Sequence, residues 1–154
     1  MMKRTRVTNI VDILCLLLMV TSTFYLIVHL GDVPDRIPRH YNWAGQVDGW
    51  MDKSFVWVHP ALMWGLFVLI SIVEMFPRLY NTGGIKVTDE NRARLYPLMR
   101  NAASICKLLV VGLFSAIIGD VIYGGTWAPS LVVIFLPLLI ANILFWWIRM
   151  FRSR

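Results

Sequence analysis

Four long apolar runs alternate with polar segments along this chain of 154 residues. Each run has about the 20 residues that an α-helix needs to cross a hydrocarbon core of about 30 Å. The pattern therefore predicts an all-α membrane protein, a four-transmembrane-helix bundle. We interpret residues 1–154 as a single polytopic membrane domain with spans at 10–30, 55–76, 102–123 and 129–150.

Composition agrees with this pattern and argues against a soluble domain. Hydrophobic residues make up 58% of the chain and charged residues only 16%, against about a quarter charged in typical soluble domains. The two cysteines, Cys15 and Cys106, lie inside different apolar runs. Without a CxxC motif or a cysteine outside the runs, neither a disulfide framework nor thiol redox chemistry is expected.

The distribution of basic residues predicts the orientation of the spans. Most of them lie before the first run, between the second and third runs, or at the end of the chain: Lys3, Arg4, Arg6, Arg78, Lys86, Arg92, Arg94, Arg100, Arg149, Arg152 and Arg154. Basic loops stay in the cytoplasm. We therefore predict an N-in/C-in topology with an extracytoplasmic loop at 31–54. The net charge of +6 then reflects contact with the lipid bilayer rather than with nucleic acid.

The loop at 31–54 combines proline, glycine and turn-forming residues. Proline disfavours helical backbone in the residue before it, so the loop should begin extended. Asn42 and the glycines favour turns. We predict a structured loop with one or two strands and no long helix. Its candidate binding or structural residues are Pro34, Pro38, His40, Tyr41, Asn42, Gly45, Asp48 and Lys53.

The polar segment between the second and third runs predicts a second, smaller element. Thr88 is a favourable N-cap, and Asp89 and Glu90 would lie in a first helical turn where the helix dipole favours anions. We predict a short cytoplasmic surface helix near 89–96, which Pro97 should end or kink.

Polar residues inside the runs are the intramembrane candidates, because ionisable groups are costly in a bilayer. They are Glu74, Lys107, Asp120 and Asn142. Glu74 and Lys107 lie at similar depth with opposite charge, so we predict an ion pair that joins two helices and favour a structural role over a proton relay. Asn142 is expected to hydrogen-bond between helices. Asp12, near the start of the first run, should reach water or an arginine.

A metal site is the weaker interpretation of the outer side. His29, His40, His59 and Asp120 all fall there, and imidazole and carboxylate are zinc ligands. No pair has HxxxH or HExxH spacing, so no cofactor is expected and zinc stays an alternative. We favour a loop held by hydrogen bonds, with Asp120 accepting from His40, an arginine or loop amides. Motifs of nucleophilic catalysis are missing from the sequence, which makes an enzyme the less favoured class.

The outer loop also carries a family resemblance. PDRIPRHYNWAGQVDGWMDK resembles the loop signature of a bacterial membrane domain of unknown function, which also forms the N-terminal part of SdpI-type toxin-immunity proteins. The matching positions are Pro34, Ile37, Pro38, His40, Tyr41, Asn42, Gly45, Val47, Asp48 and Lys53. A second similar stretch is ENRARLYPLMRN, so the resemblance extends over residues 10–123. SdpI-type immunity proteins continue into a further C-terminal membrane segment after the four helices, so the resemblance implies the shared domain and not the immunity activity itself. The bacterial family also implies a location in the bacterial cytoplasmic membrane.

These observations favour a non-enzymatic recognition function for the outer loop. The chain would be a toxin-immunity or resistance factor against a membrane-active peptide, or an accessory subunit bound to a membrane-protein partner. The basic inner loop could hold a cytoplasmic regulator. The alternative is a small transporter or metal-dependent membrane enzyme that uses Asp120 with the outer histidines, or Glu74.

Overall fold

A computed structural model describes residues 4–76, 80 and 82–153. Four helices dominate it: α1 (Arg6–Val28), α2 (Val58–Met75), α3 (Arg92–Ile122) and α4 (Ala128–Arg152). All four are long and apolar enough to cross a membrane, α2 together with the short 3-10 helix (Lys53–Trp57) that precedes it. The prediction of an all-α, multi-pass membrane protein is confirmed. Lys3, Arg78 and Arg154, three of the basic residues used to predict topology, lie outside the described residues.

Helix α3 is the centre of the bundle, with α1, α2 and α4 packed against it. The buried side of α1 carries Val11, Cys15, Met19 and Leu26. The first three recur every four residues and so share one helix face. They join a core with Val111 and other residues of α3. The opposite faces of the helices expose large apolar side chains, as lipid-facing surfaces do.

The segment between α1 and α2 forms an antiparallel hairpin of β1 (Arg36–Tyr41) and β2 (Val47–Asp52). Its turn is closed by the Asn42 side chain, whose Oδ1 accepts from the backbone N–H groups of Ala44 and Gln46, each at 3.0 Å. Gly45 has a φ of 75°, which favours glycine. The predicted strands are therefore present, and we call this end of the bundle the hairpin end.

The prediction of a separate surface helix near 89–96 is wrong, because residues 92–96 are helical only as the first part of α3 and residues 89–91 form a turn. Helix α3 begins at Arg92 and continues without interruption through Pro97. A turn precedes it, in which Thr88 N–H donates to Asn91 Oδ1 at 2.9 Å and Asn91 N–H donates to Thr88 Oγ1 at 3.3 Å. Thr88 thus caps this turn and not a separate helix. Pro97 removes one backbone hydrogen bond and crowds the carbonyl four residues before it, and the burial of Leu95 and Met99 on either side offsets this cost.

The span boundaries also shift where polar residues extend a helix beyond its apolar run. Helix α1 starts at Arg6, not at residue 10, because Thr5 Oγ1 accepts from Thr8 N–H at 3.0 Å and caps it. It ends at Val28, not at residue 30. Helix α3 likewise begins ten residues before the predicted span at 102–123. Hydropathy marks the lipid-exposed part of a helix and not its ends.

Candidate functional site

The hairpin is fixed to the bundle by buried side chains and one strong hydrogen bond. Ile37 is fully buried in the main core, and Val33 is nearly so. Tyr41 Oη donates to the backbone carbonyl of Gly125, in the α3–α4 turn, at 2.6 Å. Burial, with a smaller contribution from the Asp120 charge, raises the pKa of Tyr41. The phenol therefore stays protonated and keeps donating well above neutral pH.

Close packing at the α3–α4 turn adds to this anchor. A Cβ atom placed on Gly125 would lie 2.5 Å from Pro38 Cγ, so the two residues leave no room for a side chain between them. Gly45 lies near Pro129 in the first turn of α4. Strand β1 and the turn of the hairpin are therefore packed against the end of α3 and the start of α4.

The outward side of the hairpin presents aromatic and charged groups. Trp43, in the turn itself, is fully exposed, and Trp50 on β2 is 49% exposed. His40 Nδ1 and Asp48 Oδ1 lie 2.5 Å apart across the strands, with both side chains largely exposed. At the far end Asp52 accepts hydrogen bonds from Ser54, which lower the pKa of Asp52. This surface combines a rigid backbone with an exposed indole.

The other predicted loop residues contribute to the hairpin framework. Pro38 is buried and Pro34 is exposed at the start of the loop. Lys53 N–H donates to the Asp35 carbonyl at 3.0 Å, which closes the base of the hairpin. Asn42 forms the turn described above. These four residues shape the hairpin, whereas Trp43 and the His40–Asp48 pair provide its outward aromatic and charged groups.

A second cluster lies inside the bundle, in the half opposite the hairpin. Lys107 Nζ of α3 is fully buried and lies 2.6 Å from Asp12 Oδ1 and 3.0 Å from Glu74 Oε1. The predicted Glu74–Lys107 pair is therefore present, and Asp12 joins it. Ser71 Oγ accepts from Lys107 Nζ at 3.1 Å. A buried ammonium group is stabilised in a bilayer only by such partners.

Hydroxyl groups extend this cluster between α1 and α3. Ser104 Oγ donates to Glu74 Oε1 at 3.1 Å and lies 3.3 Å from Thr8 Oγ1. Thr8 and Thr5 lie 2.8 Å apart through their hydroxyl oxygens, and Thr5 donates to Asn101 Oδ1 at 2.7 Å. Three helices thus meet at one polar network rather than at isolated pairs.

Sequence reasoning assigned Asp12 only to water or a nearby arginine. The structure gives it both an arginine, Arg4, and the buried Lys107. Its position in the sequence, one residue after Val11 and three before Cys15, could have indicated that Asp12 faces partly toward α3. Its remaining exposure and its two cationic partners make Asp12 the connection between the network and the surface.

Asp120 accepts from backbone amides, one of the predicted alternatives, but these belong to the α3–α4 connection and not to the loop at 31–54. Its carboxylate accepts from the backbone N–H groups of Trp127 and Ala128 at 2.8 and 2.9 Å, at the start of α4. Because the free N–H groups of a helix start attract an anion, Asp120 fixes the α3–α4 turn. The predicted interhelical bond of Asn142 is present, since its Nδ2 donates to the Ala102 carbonyl of α3 at 3.2 Å.

The candidate metal ligands do not come together. His29 pairs with Asp32 at 2.7 Å, His40 pairs with Asp48, and His59 Nδ1 lies 3.2 Å from the Val56 carbonyl. Within residues 4–76, 80 and 82–153, no three His, Cys, Asp or Glu side chains are grouped so that they could hold a metal ion.

The fold defines a multi-pass membrane protein with a hairpin docked on one end of its helices. Residues 17–64 match a family described as a domain of unknown function, DUF1648. This segment covers the second half of α1, the whole hairpin and the first part of α2. No curated protein and no solved structure matches the chain.

Proposed function

We propose that the hairpin is a recognition surface and that the chain acts as an immunity or resistance factor against a membrane-active peptide. The observation that carries the proposal is the fully exposed Trp43 on a hairpin that Ile37 and Tyr41 anchor rigidly. Tryptophan is among the residues most enriched in binding hot spots, and an anchored backbone loses little conformational entropy on binding. The loop resembles a domain that SdpI-type immunity proteins share, and this resemblance is the reason for choosing immunity among the recognition functions.

The orientation belongs to this proposal. We infer that both chain ends lie in the cytoplasm of a bacterial cell and that the hairpin faces outward, where a peptide toxin would arrive. The support is the basic residues at the opposite end, including Arg4, Arg149 and Arg152, against few in the hairpin.

Cysteine labelling tests this orientation. In a variant without Cys15 and Cys106, we expect a membrane-impermeant maleimide to label Ala44→Cys in intact cells and to leave Arg152→Cys unlabelled until the cells are opened. Both positions are exposed, so access is set by the membrane and not by burial. Labelling of Arg152→Cys in intact cells, with Ala44→Cys protected, would reverse the proposed topology.

A survival assay tests recognition. Deleting the gene should sensitise its bacterium to peptide toxins of neighbouring strains, and wild-type protein should restore resistance. We expect Trp43→Ala to fail in restoring it, because a hot-spot tryptophan contributes about 2 kcal/mol or more to binding. Trp43→Phe keeps an aromatic ring and should retain part of the protection. An unchanged sensitivity of the deletion strain would refute the immunity function.

An accessory subunit is the second candidate, and α4 is the observation that favours it. This helix packs mainly on α3, and most of its side chains are exposed. A partner helix could cover that apolar surface. Purification of the chain from membranes tests this candidate. A second membrane protein that copurifies in a stoichiometric amount would support a subunit, whereas purification of the chain by itself would support a stand-alone factor.

A further inference from the structure

A cleft separates α1 from α2 in the half of the bundle opposite the hairpin. At the hairpin end the two helices are joined, since Trp64 Nε1 donates to Thr23 Oγ1 at 3.2 Å and Ser22 contacts Met63. Toward the other end an open cleft of about 580 Å³ lies between residues of α1 and α2. This volume lies within the usual range of small-molecule sites, about 300–1,000 Å³.

The cleft is amphipathic along its length. Its polar end contains Arg4, Asn9, Asp12 and Ser71, and the part nearer the hairpin is formed by Ile13, Leu16 and Phe67, which we call the apolar wall. On α1, positions 9, 13 and 16 recur at helical spacing, so they share one face. The polar end lies toward the membrane surface and the apolar wall toward the bilayer centre. A single-chain amphiphile in a lipid leaflet is arranged in the same way, with its polar head group at the membrane surface and its hydrocarbon chain toward the bilayer centre.

Charge identifies the head group that the polar end accepts. Lys107 is paired with two carboxylates, Asp12 and Glu74, so these three groups carry one net negative charge. Arg4 balances it by pairing with Asp12 Oδ2. The Arg4 side chain is 53% exposed, whereas Lys107 is fully buried. Arg4 is therefore the cation that can dissociate from the cluster. Its departure would leave an uncompensated negative charge in the bilayer, so another cation must take its place.

An aromatic ring adjoins this position. Lys107 Nζ lies 5.0 Å from the centre of the Phe67 ring, within the range of a cation–π interaction. A second ammonium group bound at Asp12 would lie beside the apolar wall, to which the Phe67 ring belongs. The hydroxyl of Ser71 lies in the same cleft and can accept a further N–H bond.

We propose that this cleft binds a primary alkylammonium amphiphile, whose head group replaces the Arg4 guanidinium on the Asp12 carboxylate. The hydrocarbon chain lies along the apolar wall. Binding conserves the charge of the network, because one cation replaces another, and it releases Arg4 to water. The cleft is remote from the hairpin, so the proposal stands independently of the recognition function.

Dodecylamine provides the probe, because an amine of the lysine type is protonated at pH 7. Binding to the purified full chain in a nonionic detergent is measured by titration calorimetry, with protein-free micelles subtracted. We expect dodecylammonium to bind at least about tenfold more tightly than dodecanol, which has the same chain without the charge. Equal binding of the two would show that only the apolar wall matters and would overturn the proposal.

Two substitutions should move the affinity in opposite directions. Arg4→Ala removes the tethered competitor and should tighten binding about fivefold, since a larger fraction of the protein becomes competent to bind. Asp12→Asn should weaken it about tenfold or more. Arg6→Ala removes the same charge from an exposed position that does not line the cleft, and should leave the affinity unchanged.

The Arg4→Ala result decides the matter even if Asp12→Asn fails to fold. An affinity that stays the same or falls in Arg4→Ala would overturn the exchange of cations. Phosphatidylethanolamine added to the micelles provides a further arm. If it abolishes dodecylammonium binding, a two-chain lipid head group fills the cleft and the assignment to a single-chain amphiphile is wrong.

Discussion

Replacing Lys107 with methionine is expected to lower the free energy of unfolding by about 3–5 kcal/mol. Methionine has a similar length and no charge, so it keeps the packing and removes only the ammonium group. Glu74, which is 4% exposed, would lose its cationic partner inside the bundle. Breaking a buried pair on one side leaves the other charge uncompensated, and this residual charge is the source of the loss.

Unfolding of the purified protein in detergent, followed by circular dichroism during denaturant titration, measures the effect. Adding Glu74→Gln to Lys107→Met should recover a substantial part of the loss, because it removes the uncompensated charge. The Arg4–Asp12 pair then remains neutral by itself. Lys86→Met is the matched control at an exposed position and should change stability by less than about 0.5 kcal/mol. If Lys107→Met and the wild type have the same free energy of unfolding, the ion pairs do not contribute to stability.

Gly125→Ala is the second substitution for which we expect a large effect, at the contact between the hairpin and the bundle. Gly125 has a φ of 70°, a left-handed conformation that costs an alanine about 1–2 kcal/mol. The new Cβ would also lie 2.5 Å from Pro38 Cγ, and overlap of this kind costs about a further 1–3 kcal/mol. The hairpin would have to shift, and the Tyr41 hydrogen bond to the Gly125 carbonyl would lengthen.

Gly124→Ala separates the two contributions. Its φ is 97°, but a Cβ placed there meets no atom within 4 Å. It should therefore show the backbone cost alone, and Gly125→Ala should be the less stable variant in the same unfolding assay. Combining Gly125→Ala with Pro38→Ala removes the overlapping ring atoms and should restore part of the difference. If the two glycine variants are equally stable, the hairpin is not held by close packing at this turn.

Hairpin displacement has a functional consequence that the same variants test. Under the proposed function, Gly125→Ala should impair protection against the toxin even though it leaves Trp43 unchanged. Gly124→Ala should impair it less. Recognition would then depend on the orientation of the hairpin as well as on its exposed indole.

Local features of the sequence determined the secondary structure. Length and hydropathy place a helix in a membrane whatever its neighbours are, so four apolar runs were sufficient to predict four spans. The turn residues Asn42 and Gly45 likewise specify a hairpin through interactions within five residues. The Glu74–Lys107 pair could be predicted from the sequence because opposite charges at similar positions along their spans attract each other strongly in a bilayer.

Only the tertiary structure decided which polar groups meet and where helices end. Pro97 predicts a helix boundary from local geometry, yet buried neighbours keep α3 continuous. Asp120 lies on the same side as three histidines but accepts from the start of α4, because the free backbone N–H groups there are closest. Asp12 joins Lys107 only because α1 packs on α3 in one particular rotation. Hydropathy indicates the position of a residue along its span, whereas packing determines the direction in which its side chain points.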